Sequence, residues 1–321
     1  MKLITKLQPV FIILAALFGL LLGYATEFGD FSVHFIEPFL MILLFFVFLS
    51  VDGQKMKHAF HNLRFTLTAT LINFVWTPLL TFGLGILFFR DSLDLQMGLM
   101  MLMVTPCTDW YLVFTELSNG NVVLGASILP LNLLLQILLL PIYLLVFFGN
   151  SVQFSIASTL ISIVIVLIIP FTLSFILKHV SRKNQLIGKR VDKLKDAGDT
   201  FQLVFLCIAV ISMFASESKN VIQNYALLLK MLSPLAIFFI INFVLVQFWG
   251  RRTGMVWEDI IALNFTTLAR NSPLSLAIAV AAFPDRPLIS LALVIGPLIE
   301  LPALSIISAI QLQLSKDVST S

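Results

Sequence analysis

The sequence predicts an all-α membrane protein with about ten transmembrane helices, and three observations support this fold class. Hydrophobic residues make up 59% of the 321 residues and charged residues only 12%, whereas a soluble domain carries roughly 25% charged residues. The mean hydropathy is +1.01. Apolar segments long enough to cross about 30 Å of hydrocarbon recur along the whole chain. A water-soluble fold is therefore excluded.

The ten apolar segments are separated by polar stretches, of which residues 178–199 are the longest. They lie near residues 7–25, 33–51, 65–89, 96–116, 122–148, 153–177, 200–215, 224–249, 255–283 and 287–313. The first segment has basic flanks like a signal peptide, but no clear small-residue cleavage site follows it, so we interpret it as a retained span. With the N-terminus inside, fifteen basic residues fall in the inner segments and three in the outer loops. This asymmetry predicts that both termini are cytoplasmic and that the chain is a multi-pass plasma-membrane protein.

The spans are predicted to form a single transporter domain made of two inverted repeats, about residues 1–150 and 151–321. Five spans in the first half make the second half enter the membrane from the opposite side. A basic stretch, residues 178–199, is expected to link the halves. Two interpretations of this stretch stay open: an amphipathic helix on the inner leaflet, or a solvated linker that only sets topology.

Two pairs of prolines have the same spacing in the two halves. Pro106 is followed 24 positions later by Pro130, and Pro273 is followed 24 positions later by Pro297. Each pair joins one interrupted span to the next span. The matched spacing supports the inverted repeat.

The fourth and ninth spans each carry a proline and several polar residues where a transmembrane helix is normally apolar. The polar residues are Thr105, Cys107, Thr108 and Asp109 in the fourth span and Arg270, Asn271 and Ser272 in the ninth. Proline interrupts a helix, and unwound backbone inside a membrane is tolerated only where it is buried in protein or lines a wet cavity. Corresponding broken helices are the best sequence indication of a transporter binding site, so we predict that the two breaks cross at mid-membrane.

The charge at these breaks favours oxyanions or oxygen-rich neutral substrates. Restarted helices direct partly positive N-termini towards the site, and Arg270 adds a full positive charge. Alternatively, Arg270 pairs with Asp109 or Glu300. An ionisable residue inside a membrane is costly, which makes a functional role the first hypothesis.

Four stretches carry a resemblance to a known family: the PCT of residues 106–108, the ELSNGN of 116–121, RNSPLSLAIAVAAF at 270–283 and GPLIELPAL at 296–304. Together with the ten spans they resemble the bile acid:sodium symporter superfamily over the whole chain, and within it the arsenical-resistance permeases that export arsenite. The resemblance implies crossed, broken fourth and ninth helices, a separate panel domain and an elevator-like or rocking exchange of access. It also implies that Cys107 and Glu300 are needed for transport.

The sequence departs from its sodium-coupled relatives at one motif. Those relatives have a Glu-x-x-x-Gln-Asn pattern before the second break, and the corresponding residues here are Thr266, Arg270 and Asn271. The sodium-binding carboxylate is missing, which leaves sodium a doubtful coupling ion. Arg270 is expected to act as a built-in cation instead, with protons as the coupling ion.

Several candidate residues keep two interpretations. Cys107 is either an arsenic(III) ligand, since trivalent arsenic prefers sulfur, or a small buried residue at a tight crossing. Glu300 either has a proton-binding or gating role or makes a structural hydrogen bond between helices, and Asp109 either binds a proton, pairs with Arg270 or caps a helix. Asn132 and Gln136, one turn apart, either line the same cavity or bond between helices.

The leading functional hypothesis is proton-coupled export of arsenite or a related metalloid. Uptake of an organic anion, with or without sodium, is the alternative. An intramembrane hydrolase or transferase is disfavoured because the sequence has no HExxH, no GxSxG and no cluster of carboxylates, and no phosphate-binding GxxxxGK[ST] loop is present. No cofactor and no nucleic-acid partner are predicted, the lipid bilayer is the expected surrounding, and the oligomeric state stays open.

Overall fold

The computed structural model describes residues 3–50, 62–108, 110–149, 156–183, 185–216, 218–223 and 225–320. Almost all of these residues are helical, and no strand occurs among them apart from one isolated β-bridge. The helices in chain order are α1 (Leu3–Ala25), α2 (Phe28–Ser50), α3 (Leu63–Phe88), α4 (Leu93–Met103), α5 (Trp110–Leu117), α6 (Val122–Phe148), α7 (Ile156–Lys183), α8 (Gln185–Asp196), α9 (Gly198–Ser216), α10 (Ser218–Gln223), α11 (Tyr225–Lys230), α12 (Leu232–Arg252), α13 (Trp257–Leu268), α14 (Ser272–Ala282) and α15 (Pro287–Thr320). The predicted all-α class is confirmed.

Four described helices are long and apolar enough to cross a membrane: α3, α6, α12 and α15. Shorter apolar helical stretches lie within α1, α4, α7 and α9. Each predicted span overlaps a helix, which supports a multi-span membrane protein. The total of ten crossings stays a prediction.

The chain divides into two compact units. The first consists of residues 1–51, 149–228 and 273–298, and the second of residues 52–148, 229–272 and 299–321. Each unit is assembled from segments that are far apart in sequence. Neither unit coincides with one of the predicted sequence repeats, and the repeat organisation stays a prediction.

In the first unit, α9 packs against both α1 and α2, and α7 packs against α2. Gly19 and Gly23 of α1 face α9 so closely that a Cβ atom on either would meet main-chain atoms of Ile211 or Ala215. Two glycines four residues apart allow the backbones of membrane helices to approach in this way. Phe46 stacks on Phe201 in the same unit, with 5.1 Å between ring centroids.

The basic stretch 178–199 forms the end of α7, the whole of α8 and the start of α9. Its helix α8 packs against α7, and Val191 on its apolar side is 3% exposed. The stretch therefore joins α7 to α9 as a helix packed on its neighbours. Its predicted position on the inner leaflet stays a prediction.

The second unit is built around α13, which packs against α3, α5, α6 and α12. Every residue from 260 to 268 is buried, so this helix is covered on all sides. Its buried apolar side chains form a core with Phe65 of α3, Ile128 of α6 and Val246 of α12. The polar residues of α13 are consequently held inside protein, where each needs a partner.

One turn of α3 departs from α-helical geometry. Residues Ile72–Trp76 form a π-helical turn between two α-helical segments. A π-turn inserts an extra residue into a helix and is frequently found at functional sites. In this unit it carries Asn73, which is completely buried.

Candidate functional site

Both predicted helix breaks are present, and they face each other in the second unit. Helix α4 ends at Met103 and α5 begins at Trp110, while α13 ends at Leu268 and α14 begins at Ser272. The two interruptions fall at Pro106 and just before Pro273. The prediction that the fourth and ninth spans are broken at these prolines is confirmed.

The two breaks bond to each other through their main chains. Pro106 and Arg270 form an antiparallel β-bridge. The N–H of Cys107 donates to the Ala269 carbonyl at 3.0 Å, and the N–H of Asn271 donates to the Thr105 carbonyl at 2.7 Å. Each unwound segment thus satisfies main-chain groups of the other, which is what buried, non-helical backbone requires.

The guanidinium of Arg270 is buried in this crossing, with the residue only 2% exposed. Its Nη1 donates to Asn73 Oδ1 at 3.3 Å, and its Nη2 donates to the Thr267 carbonyl. Its central carbon lies 4.8 Å from the ring centroid of Phe238, in the position of a cation–π contact. Among the described residues, its Nε has no hydrogen-bond partner. The guanidinium is therefore held at the crossing by hydrogen bonds to neutral groups and by its contact with the Phe238 ring.

Glu300 reaches the same place from α15 but bonds to the main chain. Its Oε1 accepts a hydrogen bond from the backbone N–H of Arg270 at 2.8 Å, and the residue is 4% exposed. No carboxylate of the described residues lies within ion-pair distance of the guanidinium itself. We expected Arg270 to pair with Glu300 or Asp109; Glu300 instead holds the backbone at the break, and Asp109 lies outside the described residues.

Asn73 is a site residue that the sequence did not indicate. While its Oδ1 accepts from Arg270, its Nδ2 donates to the Thr266 carbonyl at 3.1 Å. The Thr266 hydroxyl in turn accepts from Asn132 Nδ2 at 3.3 Å. A continuous polar chain, Asn132–Thr266–Asn73–Arg270, therefore links α6, α13 and α3. The sequence carries one signal for Asn73, a single amide inside an apolar span.

The structure brings together most, but not all, of the predicted site residues. Thr105, Cys107, Arg270, Asn271 and Glu300 meet at the paired breaks, and Asn132 joins them through Thr266. Thr108 and Ser272 are buried beside the breaks at 5% and 3% exposure. Gln136 is completely buried, and neither of its amide atoms has a partner among the described residues.

The two cysteines occupy different environments. Cys107 is buried at the crossing, whereas Cys207 lies partly exposed on α9 of the first unit. Both lie in the described part of the chain, and neither forms a disulfide. Within the described ranges, no group of three or more His, Cys, Asp or Glu residues could hold a metal ion together.

Comparison with known proteins now identifies the family. Residues 37–224, more than half of the chain, match the Sodium Bile acid symporter family. The chain belongs to this family. Family membership and the apolar helices make it a membrane transporter with a small-molecule substrate.

Two relatives match almost the whole length of this family member. One is the Arsenical-resistance protein Acr3 of Corynebacterium glutamicum, which is 25% identical over 319 residues, covering 93% of this chain and 86% of the relative. The other is the Uncharacterized protein YbaS of Bacillus subtilis, which is 24% identical over 295 residues, covering 91% of this chain and 92% of the relative. The expected resemblance to the bile acid symporter family and to an arsenical-resistance protein is confirmed.

In this family member, three side chains form a clasp: Asn62 directly before α3, Asn121 at the end of the ELSNGN stretch, and Asp259 in the first turn of α13. Asn121 Nδ2 donates to Asp259 Oδ1 at 2.8 Å, and Asn62 Nδ2 approaches Asp259 Oδ2 at 3.4 Å. The side-chain oxygens of the same two asparagines accept backbone N–H groups in the first turns of α6 and α3, respectively. One carboxylate thereby fixes two helix caps. The ELSNGN stretch therefore has a structural role at the start of α6 and does not contact the helix breaks through this clasp.

Proposed function

We propose that this protein exports arsenite or a related trivalent metalloid across the plasma membrane, driven by the proton gradient. The observation that carries the proposal is the burial of the Cys107 thiol at the point where the two broken helices bond to each other. The similarity to a protein named for arsenical resistance supports the same substrate class.

A single thiol suits transient binding of trivalent arsenic. Arsenous acid exchanges one hydroxyl for the Cys107 sulfur: an As–S bond forms, an As–O bond breaks, and the thiol proton leaves with the hydroxyl as water. Hydrolysis reverses the step and releases the cargo. Because only one sulfur takes part, the cargo is bound without being trapped.

Proton coupling is assigned to Glu300. Its carboxyl group is buried, and it bonds to the backbone of the break that carries Arg270. Gain or loss of a proton changes the charge at the crossing and the strength of that hydrogen bond. The fixed guanidinium of Arg270 takes the electrostatic role of a coupling cation, so sodium is not required.

Transport of an organic anion is the second candidate function. Arg270 favours it, because a buried guanidinium whose Nε has no partner among the described residues offers a charged donor to an anionic substrate. On this hypothesis Cys107 is a packing residue, and a serine should serve equally well in its place.

Everted membrane vesicles distinguish the two functions. Vesicles acidified inside should accumulate arsenite when they carry the parent protein or Cys207→Ser, and should lose this uptake with Cys107→Ser. The Cys207 variant controls for general effects of removing a thiol. Uptake at the parent rate by Cys107→Ser would show that the thiol is not the arsenic ligand. Absence of arsenite uptake by the parent would overturn the metalloid proposal, and transport of a bile-acid-like anion by the same vesicles would then establish the second candidate.

A further inference from the structure

A groove runs along the second unit between two of the candidate membrane spans, α3 and α12. Its volume is ≈ 540 Å³, and the side chains along it include Leu67, Leu71, Val75 and Leu79 of α3 and Leu245 of α12. The four α3 residues recur every fourth position, so they form one stripe of that helix. Each of the four is more than half exposed. The groove is therefore apolar and open to the surroundings of the two helices.

Two hydrogen bonds join the walls of this groove and fix the spacing between α3 and α12. Trp76 Nε1 on α3 donates to Asn242 Oδ1 on α12 at 2.8 Å. Arg64 Nη1, one residue into α3, donates to the carbonyl of Thr253 directly after α12 at 2.6 Å. The groove is thus preformed.

One end of the groove is basic. Arg64 and Thr253 line it there, and Arg251 and Arg252 end α12 at the same level. An arginine has five N–H donors, so Arg64 retains donors after bonding to Thr253. Of the acids close by in sequence, Asp259 is held by two asparagines, and Glu258 is exposed to solvent.

We propose that this groove is a binding site for an anionic phospholipid. An acyl chain lies along the α3 stripe, and the phosphate of the headgroup bonds to Arg64. The helix between Arg64 and Leu79 rises about 22 Å, which exceeds the roughly 15 Å of one leaflet. The positive-inside prediction places the basic end at the cytoplasmic leaflet, where anionic lipids are concentrated.

Native mass spectrometry of the purified full chain, with phosphatidylglycerol and phosphatidylcholine of identical acyl chains, tests the site. The parent should retain phosphatidylglycerol more tightly than phosphatidylcholine. Arg64→Gln should weaken phosphatidylglycerol binding about fivefold, the equivalent of about 1 kcal/mol for one basic residue at a lipid surface, and leave phosphatidylcholine unchanged. Arg64→Lys should keep most of the preference.

Two further variants make the test decisive. Arg90→Gln, which removes an exposed arginine just beyond the other end of α3, should bind both lipids like the parent. Val75→Trp should fill the groove and weaken both lipids. Equal retention of the two lipids by the parent, or an equal loss in the Arg90 variant, would overturn the proposal. So would a dimer whose formation displaces the lipid, because the groove would then be a contact between two copies.

Discussion

Glu300 accepts its hydrogen bond from the backbone N–H of Arg270 at 2.8 Å. The two ionisable residues of this site are therefore joined through the main chain of Arg270. The carboxyl group therefore stabilises the helix break directly. Its hydrogen bond goes to the main chain of Arg270 and not to the guanidinium. Under the proposed function, a change of protonation at Glu300 would act on the break itself.

Replacing Glu300 by Gln should separate binding from proton coupling. The amide oxygen still accepts the N–H of Arg270, but the amide cannot titrate. We expect the variant to fold like the parent, to bind arsenite, and to lose the dependence of vesicle uptake on an imposed pH gradient. Glu300→Ala should also destabilise the protein by about 1–3 kcal/mol, since a buried N–H loses its partner. If uptake by Glu300→Gln still followed the pH gradient, the coupling acid would have to be sought at Asp109.

Arg270 should make transport independent of sodium. Vesicle uptake by the parent should be the same in sodium and potassium buffers, because the fixed guanidinium supplies the positive charge. Arg270→Gln removes that charge while keeping a polar side chain, and uptake should fall at least about tenfold, a loss of about 1.4 kcal/mol or more. A parent protein that transports only in sodium would show that the guanidinium does not replace a coupling cation.

Asn73 should orient the guanidinium, and two variants distinguish orientation from packing. Asn73→Leu leaves Arg270 Nη1 and the Thr266 carbonyl short of a partner, which should cost about 1–3 kcal/mol. Asn73→Asp places a carboxylate against the guanidinium. This variant should therefore lose less stability than Asn73→Leu, but its negative charge cancels the positive charge of Arg270. The measurements are the midpoint of heat unfolding in detergent and the rate of arsenite uptake.

Uptake should be impaired in both Asn73 variants, and the loss of heat stability should be larger in Asn73→Leu. A matched control is Thr81→Val in the same helix, a buried hydroxyl outside the polar chain. If Asn73→Asp transported at the parent rate, the net charge of the crossing would have no role.

The clasp around Asp259 predicts a graded loss of stability. Asp259→Ala removes the acceptor of both asparagines, and a hydrogen bond to a charged group contributes about 1.5–3 kcal/mol. Asn121→Ala should be more damaging than Asn62→Ala, because its bond to Asp259 is shorter, at 2.8 Å against 3.4 Å. Heat unfolding followed by tryptophan fluorescence measures all three. The exposed neighbour Glu258→Ala should unfold like the parent, and an equal loss there would contradict the clasp.

A glycine-to-alanine substitution should have opposite effects on stability at Gly23 and at Gly83. A Cβ on Gly23 meets the main chain of Ala215, whereas a Cβ on Gly83 of α3 meets nothing within 4 Å. Gly23→Ala should therefore destabilise the first unit by about 1–3 kcal/mol. Gly83→Ala should be neutral or stabilise its helix by roughly 0.5–1 kcal/mol. The fraction of monodisperse protein left after heating in detergent ranks the two variants, and the reverse order would refute the close packing of α1 on α9.

The helix breaks could be predicted because their cause is local. Pro106 and Pro273 interrupt any helix that contains them, and the polar residues beside them require burial. Family membership and the all-α class followed equally directly from composition and motifs. These properties do not depend on which residues meet in space.

The partners inside the site could not be predicted, because they depend on helix register. The π-turn at Ile72–Trp76 shifts the face of α3 on which Asn73 lies, and nothing in an apolar sequence marks such a turn. For the same reason the sequence did not indicate that the guanidinium bonds to Asn73 and to a carbonyl while Glu300 bonds to the backbone N–H of Arg270. Charge indicates that a partner is needed, but packing decides which one.

The β-bridge between Pro106 and Arg270 has an evolutionary consequence. Two of the bonds that join the breaks use only main-chain atoms, at Thr105, Cys107, Ala269 and Asn271, and the Thr105 hydroxyl donates one more to the Asn271 carbonyl at 3.5 Å. Side chains at these positions can therefore change without removing the two main-chain bonds. During evolution, a substitution at one of these positions that preserves burial would leave the two main-chain bonds in place.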